Sequence, residues 1–167
     1  MDADVDFDGY ARAHWDRLVR LAWLVTRNWD DAGDAVQDAF AALYPRWVGL
    51  PEASRLDAYV NTTVVRAGIA ITRKRARTRP VADPALLPAA PVAGDPSAEV
   101  ARADEAWRLC GELPPNQRAA VVLRFYRELS FAEIADVLGC REATARSHVH
   151  RAMATLRSRL EGAQSND

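Results

Sequence analysis

Apolar residues recur every three or four positions through most of this chain, and one proline-rich stretch breaks the rhythm. In residues 10–27, Trp15, Leu18, Leu21, Ala22 and Val25 fall on one helical face, with Arg12, Arg17 and Arg20 turned away. Asn28 to Asp31 makes a polar break. A second helix is expected over roughly 30–44, its acidic first turn suited to the helix dipole and its stripe formed by Val36, Ala39, Phe40 and Leu43. Pro45 ends or bends that helix, and VGLPEASR then reads as a loop. Residues 57–77 are mixed: Thr62, Thr63, Val64 and Val65 have strand propensity. No neighbouring stretch offers that strand a partner, so the segment is expected to be a helix running into the basic tract RKRAR.

From Pro80 to about Val100 the prolines at 84, 88, 91 and 96 rule out a packed element and predict a flexible tether. Residues 101–112 then form a short helix with Trp107 and Leu109, and Pro114–Pro115 opens another, NQRAAVVLRFYREL. Ala119, Val122 and Phe125 of that helix are expected to pack against the helical pair after it. The final tail, EGAQSND, is polar enough to fray.

Leu129 to Leu160 carries the most local information. Ser130 and Glu133 have capping-box spacing, Leu129 and Ile134 suit a hydrophobic staple, and Gly139 fits a left-handed helix end. A second helix starts almost at once, with Ala145, Val149, Ala152, Met153 and Leu156 on one face. Ala143, Arg146, Ser147, His150 and Arg151 lie opposite, with Thr144 on the flank: small, hydroxyl-bearing and basic groups that suit a major groove. An ordinary helical hairpin with a solvated polar face fits the same spacing. The whole pattern predicts an all-α chain of two small helical domains joined by a flexible Pro-rich linker, with boundaries at 8–79, 80–102 and 103–161.

Composition narrows the function. At 167 residues and 49% hydrophobic, the chain has enough apolar material for a real core. No apolar run is long enough to span a bilayer and the start, MDADVDFD, is acidic, so no membrane association and a cytoplasmic location are expected. Cys110, Cys140 and the three histidines share no ligand spacing, and no nucleophile–base set or phosphate loop appears, so neither a metal, a cofactor nor an enzymatic activity is expected.

The net charge of −1 conceals alternating blocks. Residues 1–50 carry −4, 51–82 carry +5, 83–105 carry −4 and 106–167 carry +2. Lys74 is the one lysine. Arginine favours forked contacts to phosphate and guanine.

Two strings then bear a family likeness. LPPNQRAAVVLRFYRELSFAEIADVLGCREATARSHVHRAMATLR resembles region 4 of the extracytoplasmic-function (ECF) sigma factors of bacterial RNA polymerase, within the sigma-70 family. DDAGDAVQDAFAALYPRW resembles region 2 of the same family. They occur in the family's order and at its usual separation, covering about residues 10–160; the small actinobacterial SigE-type proteins look most similar.

The resemblance implies that Asp34, Val36, Gln37, Asp38 and Phe40 dock on the clamp helices of the largest subunit of core RNA polymerase. It implies that the next helix recognises and opens the −10 promoter DNA. There Tyr59 stacks on bases, Asn61 and Thr62 bond base edges, and Arg66, Arg73, Lys74 and Arg75 hold phosphates. It further implies −35 duplex recognition by Arg141, Ala143, Thr144, Arg146, Ser147, His150 and Arg151, and an anti-sigma factor as a further partner.

The chain also departs from the family. The −10 helix is less aromatic and less basic than usual, and the asparagine expected near Arg66 is missing. Arg141 replaces a capping serine and His148 an arginine. The expected function is that of a sigma factor. A helix–turn–helix regulator acting without polymerase is the alternative, and a protein that sequesters a partner through its first domain is a third reading.

Overall fold

Helix ends in this chain are set by short polar side chains and by residues with positive φ. A computed structural model describes residues 6–50, 53–78 and 105–164. The Asp6 carboxylate accepts from the Gly9 N–H at 3.1 Å and starts α1 (Phe7–Thr26). Arg27, at φ 57°, ends it. Asn28 accepts from the Asp31 N–H at 3.0 Å to start α2 (Trp29–Leu43). Pro45 falls in the first turn of a 3-10 helix, Tyr44–Gly49, so the expected loop shrinks: its first two residues are helical and α3 (Ala53–Thr78) takes up its last three.

The β-branched run is helical. Val60 and Val64 stand four residues apart in the core beside Val65, and Thr63 donates its hydroxyl to the Tyr59 carbonyl at 2.9 Å. Tertiary burial outweighs the modest propensity deficit of such residues. Gly68 allows α3 to press on α1, since a Cβ there would meet Thr26 Cγ2 at 3.3 Å and Val25 Cγ1 at 3.4 Å.

The second half is helical over 105–110 (α4), then over α5 (Pro115–Val121), α6 (Phe131–Leu138) and α7 (Glu142–Gln164). α5 passes into a π-helical turn, Val122–Tyr126, which the sequence pattern does not announce. The wider turn shifts the register of the side chains. Ala119 and Val122 pack in the core as expected, but Phe125 is turned out to 53% exposure. Among the described residues every regular element is helical, in two packed sets. The expected tether at 80–102, the start of the 101–112 helix and the last three tail residues lie outside the described residues.

α1, α2 and α3 enclose one core around Leu18, Val36, Val60 and Val64. A second core is shared: Leu21, Leu24, Val25, Val65 and Ile69 from the first half pack with Ala120, Val122, Leu123, Ile134 and Val149 from the second. Two arginines cross that seam reciprocally. Arg66 of α3 donates from Nε to the Val137 carbonyl at 2.9 Å and from Nη2 to the Asp136 carbonyl at 2.6 Å. Arg118 of α5 donates from Nη1 to the Val25 carbonyl at 2.9 Å and from Nη2 to the Leu113 carbonyl at 3.0 Å. Each half thus supplies a cation to the carbonyl-rich C-terminal end of a helix in the other.

Candidate nucleic-acid and polymerase interfaces

The α6–α7 hairpin is built by its caps. Ser130 Oγ accepts from the Glu133 N–H at 3.2 Å while Glu133 Oε2 accepts from the Ser130 N–H at 2.7 Å, completing the capping box. These bonds hold the Glu133 carboxyl below its usual range. Gly139, at φ 65°, turns the chain toward α7. Ala145, Val149, Ala152 and Leu156 are buried, with Met153 at the margin of the core. The turned-out face carries Ala143, Thr144, Arg146, Ser147, His150 and Arg151, all exposed. Arg146, Ser147, His150 and Arg151 line one shallow groove there.

Arg146 is tethered within that groove. Its Nη2 donates to Glu142 Oε1 at 2.9 Å and its guanidinium carbon lies 4.5 Å from the centroid of the Phe131 ring. Arg141 is exposed ahead of α7; its carbonyl takes bonds from the Thr144 and Ala145 N–H groups at 2.9 and 3.0 Å. His148 is half-buried, with Nδ1 shut off from solvent and without a hydrogen-bond partner. Burial, then Arg151, then Arg73 lower its basicity. That histidine does not line the groove.

On α3 the expected −10 residues divide. Tyr59 and Lys74 are exposed. Asn61 is 5% exposed; its Oδ1 accepts from Arg17 Nη1 at 3.0 Å and its Nδ2 is buried without a partner. Thr62 is half-buried, and with Asn61, Arg66, Leu123, Arg127 and Asp136 it lines a cleft of about 220 Å³ between the halves. Arg73 Nη2 donates to Asn116 Oδ1 at 2.5 Å, and Arg75 Nη1 to Asp31 Oδ2 at 2.6 Å. In this arrangement Arg66, Arg73 and Arg75 hold protein, and Asn61 is closed to a base.

The docking helix α2 presents Asp34, Gln37 and Asp38 on one exposed face. Val36 is 0% and Phe40 7% exposed, on the buried stripe expected of them, so of the expected docking set only Asp34, Gln37 and Asp38 offer side chains at the surface. The helical spacing of Val36 and Phe40 from Ala32 and Leu43 puts them on that stripe.

Several contributors carry weak sequence signals. Arg118 shares the spacing of Val121 and Val122, so a charge on an apolar stripe is the available clue. Its charged form is disfavoured by burial and then by Arg27, which brings its pKa down to about 10. Arg27 stands with its guanidinium carbon 3.8 Å from the Trp23 ring centroid, and Nε and Nη1 are buried without hydrogen-bond partners. Tyr10 and Arg17 both donate to Asp57 Oδ1, a network that ties α1 to α3 and that spacing alone does not reveal. Among the described residues, no group of three or more His, Cys, Asp and Glu side chains is arranged to hold a metal ion, and no helix is long and apolar enough to cross a membrane.

Comparison with known proteins gives the arrangement a context. The family described as Sigma-70, region 4 matches residues 103–156. The RNA polymerase sigma-E factor of Streptomyces avermitilis is 35% identical over 162 residues, spanning 94% of this chain and 86% of that protein. The ECF RNA polymerase sigma factor SigM of Mycobacterium tuberculosis is 36% identical over 156 residues, spanning 93% and 77%. Among solved structures, the sigma factor RpoE in complex with the anti-sigma factor NepR from Bartonella quintana has a similar fold. Its TM-score is 0.67 at 23% identity, over 93% of this chain and 97% of that one.

Proposed function

The chain belongs to the extracytoplasmic-function group of the sigma-70 family of RNA polymerase sigma factors, and from that premise we propose how its two halves divide the work. The protein binds core RNA polymerase, recognises the −10 and −35 elements of promoter DNA and directs transcription initiation. The observation that carries this reading is likeness along nearly the whole chain, both halves included. A regulator acting without polymerase would need only the second half.

The exposed Asp34, Gln37 and Asp38 face of α2 is the polymerase contact: an acidic, amide-bearing surface steers a basic partner helix and fixes its orientation. α7 reads the −35 duplex with Arg146, Ser147, His150 and Arg151, while Ala143 and Thr144 allow close approach and Arg141 contacts the backbone. α3 meets the −10 strand through Tyr59, Thr62 and Lys74, joined by Arg66, Arg73 and Arg75 once these leave their protein partners. Asn61 reaches a base only after its bond to Arg17 is released. Melting draws on the capture of unstacked bases, and two modest contacts on one chain reinforce each other. The bond-making chemistry is the polymerase's, and the protein works in the cytoplasm. An anti-sigma factor, such as accompanies the structural relative RpoE, is its further partner.

The test is transcription with purified chain and core polymerase on genomic templates. A promoter-dependent transcript is expected, and no transcript where a known sigma factor gives one overturns the reading. Asp34→Arg with Asp38→Arg is expected to abolish core association while leaving the helical signal unchanged; an unaltered affinity removes α2 from the interface.

A further inference from the structure

Arg146 is placed before any DNA arrives. Phe131, the first residue of α6, follows the Ser130 cap and packs against the shared core. The Arg146 guanidinium lies over its ring at 4.5 Å, and that of Arg124 lies over the same ring at 4.7 Å. Arg124 is itself fixed, its Nη1 donating to the Leu129 carbonyl at 2.8 Å. Glu142, the first residue of α7, takes one N–H of Arg146 at 2.9 Å. A long flexible side chain loses rotamer freedom when it binds, and one whose guanidinium already lies on an aromatic ring has less to lose.

The acid beside this arginine also bears on what it meets. A phosphate would be repelled by the Glu142 carboxylate, one turn away on the same exposed face. A base edge accommodates both groups: guanine offers O6 and N7 as acceptors to arginine, and cytosine offers its N4 amine to a carboxylate. We propose that Phe131 is a positioning residue and Glu142 a specificity-determining residue of duplex reading. The ring and the carboxylate hold Arg146 so that its free N–H edge meets a guanine, and Glu142 takes a neighbouring cytosine amine. This rests on the reading that the first turns of α7 enter the major groove.

The test uses the full chain with core polymerase on a promoter duplex that it transcribes. Each upstream guanine is replaced in turn by 7-deazaguanine, which lacks the N7 acceptor, and each upstream C·G pair by T·A. Arg146→Ala is expected to erase the penalty for one modified guanine. Phe131→Leu and Phe131→Met are expected to reduce that same penalty by about 3- to 10-fold, with the salt dependence unchanged, and Phe131→Tyr to restore it. Glu142→Gln is expected to relax the preference at one adjacent cytosine.

If Arg146→Ala leaves every guanine preference intact, the groove reading itself fails. If Arg146→Ala erases a preference that both Phe131→Leu and Phe131→Met retain, the positioning role is overturned. A uniform loss across all base pairs, with discrimination kept, assigns Phe131 a purely structural part and overturns it equally. An unchanged cytosine preference in Glu142→Gln overturns the role of the carboxylate.

Discussion

Arg66, on the helix assigned to the −10 strand, donates from Nε to the backbone carbonyl of Val137, 2.9 Å away at the end of the first helix of the DNA-reading hairpin. Its Nη2 reaches the Asp136 carbonyl as well. The Nε and Nη2 fork that grips these carbonyls cannot also grip a phosphate, so the proposed −10 role of Arg66 can use that fork only once its contact with α6 is broken. Arg66→Lys keeps the charge and loses the fork. In the free chain, dyes on cysteines placed at exposed Ala42 and Arg157 are expected to report an open population raised about 3- to 10-fold, the effect of losing one ordinary hydrogen bond. An unchanged transfer efficiency removes Arg66 from the control of opening.

Arg118 provides a stability test. Arg118→Met strips the donors from two carbonyls, those of Val25 and Leu113, at a residue only 7% exposed. Leaving buried acceptors unsatisfied outweighs the relief of the desolvated cation, and a loss of about 1–3 kcal/mol is expected in denaturant unfolding. A midpoint equal to that of the unmodified chain shows that water or a rearranged neighbour replaces the guanidinium.

Ser130→Ala removes one of the two reciprocal bonds at the start of α6. By cap-substitution precedent the loss is about 0.5–2 kcal/mol, measurable as a lowered melting temperature. Glu133→Gln, which keeps an acceptor for the Ser130 N–H, is expected to lose less. The reverse ranking shows that the charge of Glu133 at the helix N-terminus outweighs the geometry.

The His148 imidazole is less basic in the fold than when free, because of burial first and then Arg151 and Arg73. The unfolded chain accordingly takes up a proton before the folded one as pH falls. His148's contribution is fully present above the free-imidazole value of 6.5 and is lost as pH falls from there toward the depressed folded value. His148→Asn is expected to flatten this part of the stability profile. An equal slope in both proteins assigns the pH dependence to other groups.

Where sequence and local physics coincide, the chain is legible. Ser130, Glu133 and Gly139 fix the hairpin's ends by bonds within a few residues, and their spacing announces them. The same holds for Ala145, Val149 and Leu156, whose burial follows helical period. Val64 and Val65 require a tertiary argument, because side-chain propensity alone points to a strand and only the helices around them decide otherwise. Phe125 departs from its expected place because the π-helical turn beginning at Val122 alters the helical period on which that expectation depends. Val36 and Phe40 show the limit of a motif: it gathers exposed and buried residues of one helix alike, and only the helical period separates Asp34, Gln37 and Asp38 from the residues that hold the helix in the core. Reciprocal use of Arg66 and Arg118 depends on two helix ends far apart in sequence, which no periodicity encodes.

The shared core has a consequence for taking this protein apart. Leu21, Leu24, Val25, Val65 and Ile69 complete the packing of Ala120, Val122, Leu123 and Ile134 across the seam. A fragment ending at residue 78 and one beginning at residue 105 each carry a raw hydrocarbon surface that the intact chain covers. Melting temperatures or DNA affinities of such fragments describe altered objects, and their sum is not the whole. If the halves part in holoenzyme, the same surface becomes available, and a polymerase that stretches this chain along a promoter must then supply either a new covering for it or the free energy to hydrate it.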